Sequence, residues 1–204
     1  MTLRLDGREV LASGSILDAV LAAGIALPHL CKDDHLPAIG ACRTCLVEAD
    51  GRVVAACSIP AALVAEVRTD SERVIRLRRG VLELTAGMQG GRPPADGRPA
   101  SSEAGDAYAN HGVSTKVHDR DGRERTDTSN TFFSFYEDEC ILCGRCTTAC
   151  QSLQHIGAIG MSGRGLETRV TPGDGLSFRD SICTSCGSCV AACPTSALRP
   201  KGGV

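Results

Sequence analysis

One cysteine pattern occurs twice in the last third of the chain and constrains its fold more than any other feature. The stretches "ECILCGRCTTACQS", from Glu139, and "SICTSCGSCVAACPTS", from Ser181, each contain the spacing C-x2-C-x2-C-x3-C. Each cysteine of the first copy is followed 43 residues later by a cysteine of the second, and a glycine and an alanine repeat at the same offset. Such self-similarity indicates two structural halves that both contribute to metal binding.

The spacing within each copy is typical of [4Fe–4S] ligands. Three thiolates on one tight loop can hold three corners of a cubane, while the fourth cysteine, on the following helical turn, points away from that loop. In two-cluster ferredoxins this fourth cysteine binds the other cluster. The predicted ligands are Cys140, Cys143, Cys146 and Cys193 for the first cluster, and Cys183, Cys186, Cys189 and Cys150 for the second. Structural zinc usually uses two separated cysteine pairs and fits this spacing poorly.

Four further cysteines precede the repeat, namely Cys31, Cys42, Cys45 and Cys57. A loop ligand, a close pair and a distant ligand on a strand suit a [2Fe–2S] cluster, although the first gap is longer than that of plant-type ferredoxins. Small residues flank the close pair in "GACRTC", which would let backbone N–H groups approach the sulfides. Zinc is the alternative that this spacing leaves open.

Twelve cysteines in 204 residues could also indicate the disulfides of a secreted protein. However, "MTLRLDGREV" is charged and alternating rather than apolar like a signal peptide. No apolar run approaches the about 20 residues that a membrane helix needs. We therefore expect a cytoplasmic protein without a transmembrane segment, whose reduced cysteines bind metal. The formal net charge is −2 and basic residues do not form a block, so we expect no nucleic-acid partner.

Residues 1–70 have the pattern of a small α+β domain. The pairs Asp6-Gly7 and Asp50-Gly51 each predict the turn of a β-hairpin. A short helix is predicted to begin after Ser15, whose partner in a capping box is Asp18, and to end before Gly24. The expected buried face of this helix consists of Ile16, Leu17, Val20 and Leu21.

Residues 71–130 are expected to contain a helix and then a flexible linker. "SERVIRLRRGVLELTAG" has a helical pattern, whereas "GGRPPADGRPASSEAGD" has almost no large apolar residue with which to offset its ordering entropy. Residues 131–204 then form the cysteine-rich domain. It opens with "TFFSFYEDE", whose four aromatic residues we expect to pack against the metal core. Docking of a partner is the alternative role for this aromatic stretch.

The order of these motifs resembles the N-terminal iron–sulfur region of the complex I 75-kDa subunit family. "LPHLCKDDHLPAIGACRTCLVEADGRVVAACS" is similar to its [2Fe–2S] domain, which also occurs in the small diaphorase subunit of NAD-reducing hydrogenases. "DTSNTFFSFYEDECILCGRCTTACQS" and the second copy of the repeat are most similar to the version in the alpha subunit of NAD-dependent formate dehydrogenases. The resemblance implies a ferredoxin-like β-grasp domain, a linker and a bacterial two-[4Fe–4S] ferredoxin-like domain.

One metal site of that family is missing from this sequence. The family normally carries His-x3-Cys-x2-Cys-x5-Cys between these domains, holding a further [4Fe–4S] cluster, but no cysteine lies between Cys57 and Cys140. His111 and His118 remain in the interval, and we expect both to face solvent. We therefore predict one [2Fe–2S] and two [4Fe–4S] clusters, and no flavin, NAD or molybdopterin on this chain.

The sequence lacks a motif for substrate chemistry. "GMSGRG" does not have the G-x-G-x-x-G order of a dinucleotide site, and every cysteine is already assigned as a ligand, which leaves none as a nucleophile. We therefore predict an electron-transfer subunit of a multi-subunit NAD(P)-linked oxidoreductase. It would relay single electrons between a flavin- and NAD-binding diaphorase subunit and a catalytic subunit. A free-standing ferredoxin-like carrier and a regulatory iron–sulfur protein are the alternatives.

Two arginines lie inside the predicted ligand loops, Arg43 and Arg145. An oxidised cluster with four cysteine ligands carries a charge of about −2. Arginines in the loops would partly offset that charge if they lie close to the sulfurs. The alternative is that both are ordinary surface residues.

Overall fold

The computed structural model describes residues 1–89, 102–113, 125–173 and 175–202, and its architecture is mixed α+β. An N-terminal sheet covered by one helix is followed by two further helices and then by a cysteine-rich unit. The helices are α1 (Ile16–Ala22), α2 (Glu72–Gly87), α3 (Glu103–Asn110), α4 (Arg145–Thr148) and α5 (Ser188–Ala191). The strands are β1 (Thr2–Leu5), β2 (Arg8–Leu11), β3 (Leu46–Ala49), β4 (Arg52–Ala55), β5 (Glu66–Arg68), β6 (Thr126–Asp127), β7 (Phe133–Tyr136), β8 (Gly160–Ser162), β9 (Arg169–Thr171) and β10 (Leu198–Pro200).

The N-terminal sheet has five strands in the order β2-β1-β5-β3-β4, with β1 and β5 parallel and the other neighbours antiparallel. Both predicted hairpins are confirmed. Their turns have positive φ at both central residues, 45° and 83° at Asp6-Gly7 and 46° and 77° at Asp50-Gly51. Such turns match the right-handed twist of paired strands. With α1 packed on one face, this sheet is the expected β-grasp arrangement.

Helix α1 begins with the predicted capping box. The Ser15 hydroxyl accepts from Asp18 N (3.2 Å), and the Asp18 carboxylate accepts from Ser15 N (2.8 Å). The prediction that Leu21 is buried is wrong, because Leu21 is 37% exposed and Ala19 takes its place in the core. At about 100° per residue, Ala19 and Leu21 lie on opposite edges of the stripe formed by Ile16, Leu17 and Val20, so tertiary packing and not the helical period decides that Ala19 is the one buried.

Aliphatic side chains of the N-terminal sheet and of α1 form the first core. The sheet contributes Leu3, Leu5, Val47 and Val67, and α1 contributes Ile16, Leu17 and Val20. All of these are nearly fully buried, so this unit has an apolar core that does not consist of cysteines. We expect it to keep its fold without metal.

Helix α2 is also as predicted, beginning after its N-cap Ser71, whose hydroxyl accepts from Val74 N (3.3 Å). The β1–β2 turn is tied to the start of this helix, since Asp6 accepts both the N–H (2.7 Å) and the hydroxyl (2.6 Å) of Thr69. The N-terminal sheet and α2 therefore have a fixed relation at this point.

Part of the expected linker is folded, which corrects our prediction. Residues 103–110 form α3, with Ala104, Ala107 and Tyr108 buried, because small residues let this helix pack closely against its neighbours. Its first turn is fixed where Ala104 N donates to Pro194 O (3.0 Å). The rest of the expected linker, residues 90–101 and 114–124 with His118, lies outside the described residues.

The C-terminal unit contains a three-stranded sheet in the order β10-β7-β6 and a hairpin of β8 and β9. Strand β6 shows that residues 125–130, which we assigned to the linker, are folded with this unit. The physical reason is Asp127, whose carboxylate accepts from Ser129 N (2.8 Å) and Phe178 N (2.8 Å).

The second core is built around aromatic rings and cysteines. The Phe178 ring packs edge-on against Phe133, with centroids 5.1 Å apart, and against Phe135 at 6.0 Å. Phe133 and Phe135 are buried while Phe132 is 47% exposed, so most of the aromatic stretch packs internally. The cysteines buried in the same cluster are Cys140, Cys146, Cys150 and Cys189.

None of the helices within the described residues has the length and apolar character needed to cross a lipid bilayer.

Because the N-terminal core is mostly aliphatic and the C-terminal core is built around cysteines, removal of metal should unfold the two units unequally. If the C-terminal cysteines hold metal, the metal links them across the core, and chelation removes this link. Residues 131–200 should then lose their protection against amide hydrogen exchange. The N-terminal sheet should keep most of its protection, because its aliphatic core remains. Hydrogen-exchange mass spectrometry before and after anaerobic chelation measures both. Equal protection of the C-terminal unit in the two states would contradict this expectation.

Candidate iron–sulfur sites

The four N-terminal cysteines converge in the structure. Cys31 follows α1, Cys42 and Cys45 precede β3, and Cys57 lies in a 3₁₀ turn, Ala56–Ser58, after β4. All four are buried. Hydrogen bonds from Cys42 and Cys57 lower the pKa of the Cys31 thiol to about 2, and one from Cys57 lowers the pKa of Cys45 to about 7. The pKa values of Cys42 and Cys57, which donate in these bonds, are raised.

A buried threonine supports this site from inside the ligand loop. The Thr44 hydroxyl lies 3.2 Å from Cys42 Sγ and accepts from Leu30 N at 3.2 Å. Thr44 is fully buried, so its hydroxyl has no water to bond to. The residue links the loop before Cys31 to the close cysteine pair.

The C-terminal cysteines line two separate cavities. The first, of about 320 Å³ including its open mouth, is lined by Cys140, Cys143, Cys146 and Cys193 together with apolar residues such as Phe135 and Leu198. The second, of about 290 Å³ measured in the same way, is lined by Cys150, Cys183, Cys186 and Cys189. In each cavity the fourth cysteine comes from the other copy of the repeat.

Backbone conformation explains the repeated glycine of the motif. Gly144 and Gly187 have φ of 83° and 81° and immediately precede α4 and α5. Leu142 and Ser185, two residues earlier in each copy, also have positive φ, 54° and 59°. Each loop thus turns twice through the left-handed region, which turns three cysteines towards one cavity. Glycine adopts this conformation without strain.

Negative charge would accumulate in both cavities if the thiols ionised. Burial raises the pKa of Cys143 to about 12. Burial also raises the pKa of Cys189 to about 12, and charges on Cys183, Cys186 and Cys150 add to this. The pKa of Cys146 is raised for the same reasons. Buried thiolates this close together need a positively charged partner such as iron.

The two C-terminal sites differ in exposure. In the first, Cys140, Cys143 and Cys146 are buried and Cys193 is half-buried, whereas in the second Cys186 is exposed and Cys183 is half-buried. Ile182, beside the second site, is 69% exposed. The second site is therefore the one nearer to the surface.

The N-terminal site and the first C-terminal site share one apolar cluster. We call it the junction cluster; it includes Leu30, Cys31, Cys42, Leu82, Ala86, Ala104, Ala107, Tyr108, Val113, Ile141 and Cys143. It draws on the first ligand loop, on α2, on α3 and on the first loop of the repeat. Gln89 also connects the two units, because its side-chain amide donates to Glu139 O (3.1 Å).

A buried arginine lies at the edge of this contact. The Arg145 side chain is 2% exposed, and its guanidinium makes two parallel 2.8 Å hydrogen bonds with the Glu103 carboxylate. It also donates to the backbone carbonyls of Lys32 and His29, the latter at 3.3 Å. Burial lowers the pKa of Arg145, but the pairing with Glu103 outweighs it and leaves that pKa raised. One side chain thus joins the first ligand loop, α3 and the repeat.

Of the two arginines in the predicted ligand loops, only Arg145 meets the expectation of lying close to cluster-site sulfur. Arg43 is exposed, as its surface alternative stated. Another buried arginine is Arg78 of α2, which donates to Thr69 O (2.6 Å) and whose charge interacts with Cys45. His111, expected to face solvent, is half-buried and has Nδ1 2.9 Å from Ala107 O.

The side chains present fit iron–sulfur clusters. All twelve cysteines are free thiols. Among the described residues, no set of three or more His, Cys, Asp or Glu side chains converges on a site for a single metal ion. The C-terminal sets instead each surround a cavity with four sulfurs, and four cysteine thiolates are the donor set of both [2Fe–2S] and [4Fe–4S] clusters.

Comparison with known protein families agrees with this geometry. Residues 1–72 match a 2Fe-2S iron-sulfur cluster binding domain, and residues 139–197 match a 4Fe-4S dicluster domain. The chain is therefore an iron–sulfur protein that combines these two domains.

Its relatives are subunits of oxidoreductases. The chain is 32% identical over 186 residues, 84% of its length, to the NADP-reducing hydrogenase subunit HndD of Solidesulfovibrio fructosivorans, of which it spans 31%. It is 39% identical over 84 residues, 39% of its length, to the mitochondrial NADH-ubiquinone oxidoreductase 78 kDa subunit of Candida albicans, of which it spans 12%. The chain thus spans less than a third of either curated relative.

A solved structure resembles the chain almost throughout. In a crystal structure of an NAD+-reducing [NiFe]-hydrogenase in the H2-reduced state, one chain is 29% identical and superimposes with a TM-score of 0.80. The match covers 99% of this chain and 88% of that chain. The chain is homologous to iron–sulfur subunits of hydrogenases and complex I and to a formate dehydrogenase-like protein of Bacillus subtilis, which confirms the resemblance.

Sequence reasoning missed the residues that join the two units. Glu103 and Tyr108 lie in a stretch read as linker, and Arg145 was considered only for its charge. One signal was available for Arg145, since it breaks the repeat: the equivalent position in the second copy is Ser188.

Neutralising Glu103 should weaken the junction. Glu103→Gln removes the negative charge that pairs with the buried Arg145 and leaves one neutral amide oxygen in place of two carboxylate oxygens, so the free energy of unfolding of the metal-loaded protein should fall by about 1.5–3 kcal/mol. Asp106→Asn is the matched control, because Asp106 is an exposed carboxylate in the first turn of the same helix. Urea unfolding monitored by visible absorbance gives both values. Equal stability of the two variants would contradict the role of Glu103.

Proposed function

We propose that this chain is the iron–sulfur electron-transfer subunit of a multi-subunit NAD(P)-linked oxidoreductase of the hydrogenase or formate dehydrogenase type. The observation that carries the proposal is that twelve cysteines form three sets in one folded chain, and that two of these sets share the junction cluster. The hydrogenase relatives are named for the reduction of NADP or NAD+, which supports this class of reaction.

The proposed cofactors are one [2Fe–2S] cluster and two [4Fe–4S] clusters. Such clusters, when bound, take up one electron from a donor and release it to an acceptor, so the chain undergoes no net reaction. Their proposed ligands are Cys31, Cys42, Cys45 and Cys57; Cys140, Cys143, Cys146 and Cys193; and Cys183, Cys186, Cys189 and Cys150. Support comes from the two cavities, each with four cysteine sulfurs, and from the mutual hydrogen bonds of the N-terminal thiols.

Residues of this chain connect each site to the next, and these connections indicate the order of the three sites along the proposed path. Leu30, Ile141 and Tyr108 fill the space between the N-terminal site and the first C-terminal site, which excludes water there. Crossed ligation by Cys150 and Cys193 would join the two C-terminal sites through α4 and α5. The proposed path therefore runs from the N-terminal site through the first C-terminal site to the second, or in reverse.

The proposed partners are a flavin- and NAD-binding diaphorase subunit and a catalytic oxidoreductase subunit. The second C-terminal site, with exposed Cys186 and exposed Ile182 beside it, is suited to contact with one of them. Substrate chemistry would take place on these partners. Twelve free thiols also favour the reducing cytoplasm as the proposed location.

Metal analysis and anaerobic EPR of the isolated protein test the proposal. We expect about ten irons per chain and three centres that each take up one electron from dithionite. Zinc in the N-terminal site, or clusters that cannot be reduced, would contradict electron transfer. Native mass spectrometry of the complex from the source cell tests the partners, and a chain that is always isolated alone would contradict the subunit role.

The crossed ligation is tested by pairs of cysteine variants. If Cys193 and Cys146 bind the same cluster, the double variant Cys146→Ser/Cys193→Ser should lose no more iron than either single variant. Cys189→Ser/Cys193→Ser should lose about twice as much, because it damages both clusters. Iron content and Mössbauer spectra measure this, with circular dichroism to confirm folding. The opposite order of iron loss would mean that each copy of the repeat binds its own cluster.

A further inference from the structure

A buried hydroxyl without a hydrogen-bond partner lies between two of the proposed cluster sites. Tyr108 is 2% exposed, and its Oη has no hydrogen-bond partner among the described residues. Burying an unpaired hydroxyl is unfavourable, so such a group in a packed interface needs an explanation. Phenylalanine would fill the same space without that cost. An acceptor other than the described protein atoms would explain why a tyrosine is present here.

The surroundings of Tyr108 indicate what this partner is. Tyr108 belongs to the junction cluster together with Cys42 of the N-terminal site and Cys143 of the first C-terminal site. Burial raises the pKa of Tyr108 to about 12, against the effect of the nearby Thr85 hydroxyl, and charges on Cys143 and Cys42 add to the rise. The group is thus a hydrogen-bond donor at neutral pH, and Cys143 and Cys42 are close enough to affect its pKa.

The Thr85 hydroxyl of α2 is close enough to lower the pKa of Tyr108, but no bond between the two hydroxyls meets the geometry of a hydrogen bond. The Thr85 hydroxyl instead donates to Leu82 O of its own helix at 2.9 Å. This common helical bond already uses the Thr85 proton.

The two cysteines near Tyr108 differ in their own partners. Cys42 Sγ already has the Thr44 hydroxyl at 3.2 Å. At Cys143 the backbone N–H of Arg145 bonds to the sulfur, and no side chain among the described residues donates to it. Of these two cysteines, Cys143 is therefore the one without a side-chain donor among the described residues.

We infer that the Tyr108 hydroxyl donates a hydrogen bond to cluster sulfur at the Cys143 corner of the first [4Fe–4S] site and thereby raises its reduction potential relative to the [2Fe–2S] site. The inference rests on the proposed function. Hydrogen bonds to sulfur stabilise the more negative, reduced form of a cluster. Tyr108 thus biases an electron at the junction towards the first [4Fe–4S] site.

Removing only the hydroxyl tests this role. In the metal-loaded Tyr108→Phe protein, the midpoint potential of the first [4Fe–4S] cluster should shift to a more negative value, while that of the [2Fe–2S] cluster should shift less. After exchange into D2O, ENDOR of the reduced wild-type cluster should show a coupled deuteron that Tyr108→Phe lacks. Both readouts concern the cluster itself, since phenylalanine keeps the packing of the ring.

Two control variants separate this role from general effects. Tyr136→Phe removes the hydroxyl of the other tyrosine of the chain, and Thr85→Val removes the hydroxyl beside Tyr108. Both should leave the potential of the first [4Fe–4S] cluster unchanged.

Each way in which the inference can fail gives its own result. A Tyr108→Phe protein with wild-type potentials and the same deuteron signal would overturn it, as would a shift confined to the [2Fe–2S] cluster. An equal shift of the [4Fe–4S] midpoint potential in Thr85→Val would also overturn it. The Thr85 hydroxyl would then either donate to the cluster itself or be the partner of the Tyr108 hydroxyl. A wild-type protein without reducible clusters would instead refute the proposed function.

Discussion

The buried Arg145 guanidinium is the interaction on which the relation between the two units depends. A charge taken out of water is costly unless it is paired and hydrogen-bonded. Arg145 meets this requirement only when Glu103 of α3 and the carbonyls of His29 and Lys32 are all in place. These groups come from three separate parts of the chain. Because Arg145 bonds to all of these groups at once, it holds the first ligand loop, α3 and the repeat in a single arrangement.

Cysteines contribute to the cores of the two units to different extents. The N-terminal core is mostly aliphatic and includes Cys45 and Cys57, whereas the C-terminal core is built around aromatic rings and four buried cysteines. Raised pKa values of Cys143 and Cys189 show that these positions suit neutral thiols or metal-bound thiolates, not free anions. Metal binding and folding are therefore linked most strongly in the C-terminal unit. Tyr108 and Arg145 add donors at the one place where the two kinds of core meet.

Much of this could be predicted from the sequence because it depends on local patterns. The hairpins follow from Asp6-Gly7 and Asp50-Gly51, the start of α1 from Ser15, and the grouping of cysteines from their spacing. The prediction that Leu21 is buried was wrong because Leu21 lies at the edge of the apolar face of α1. Helix α3 could not be predicted in the same way, because its buried face consists mostly of alanine and gives only a weak apolar pattern, so the helix depends on tertiary packing in addition to its Ser102 cap. The Glu103–Arg145 pair spans 42 residues, and no local pattern predicts such a contact.

The distance between the N-terminal site and the first C-terminal site can be tested most directly by spin relaxation. In the metal-loaded protein, poised at a series of potentials, pulsed EPR measures how fast the signal of the reduced [2Fe–2S] cluster relaxes at a given temperature. If the Arg145 junction holds the sites side by side, relaxation should be faster when the first [4Fe–4S] cluster is also reduced and paramagnetic, and the signal should broaden. A [2Fe–2S] signal whose relaxation and width do not depend on the state of that cluster would contradict a junction between them.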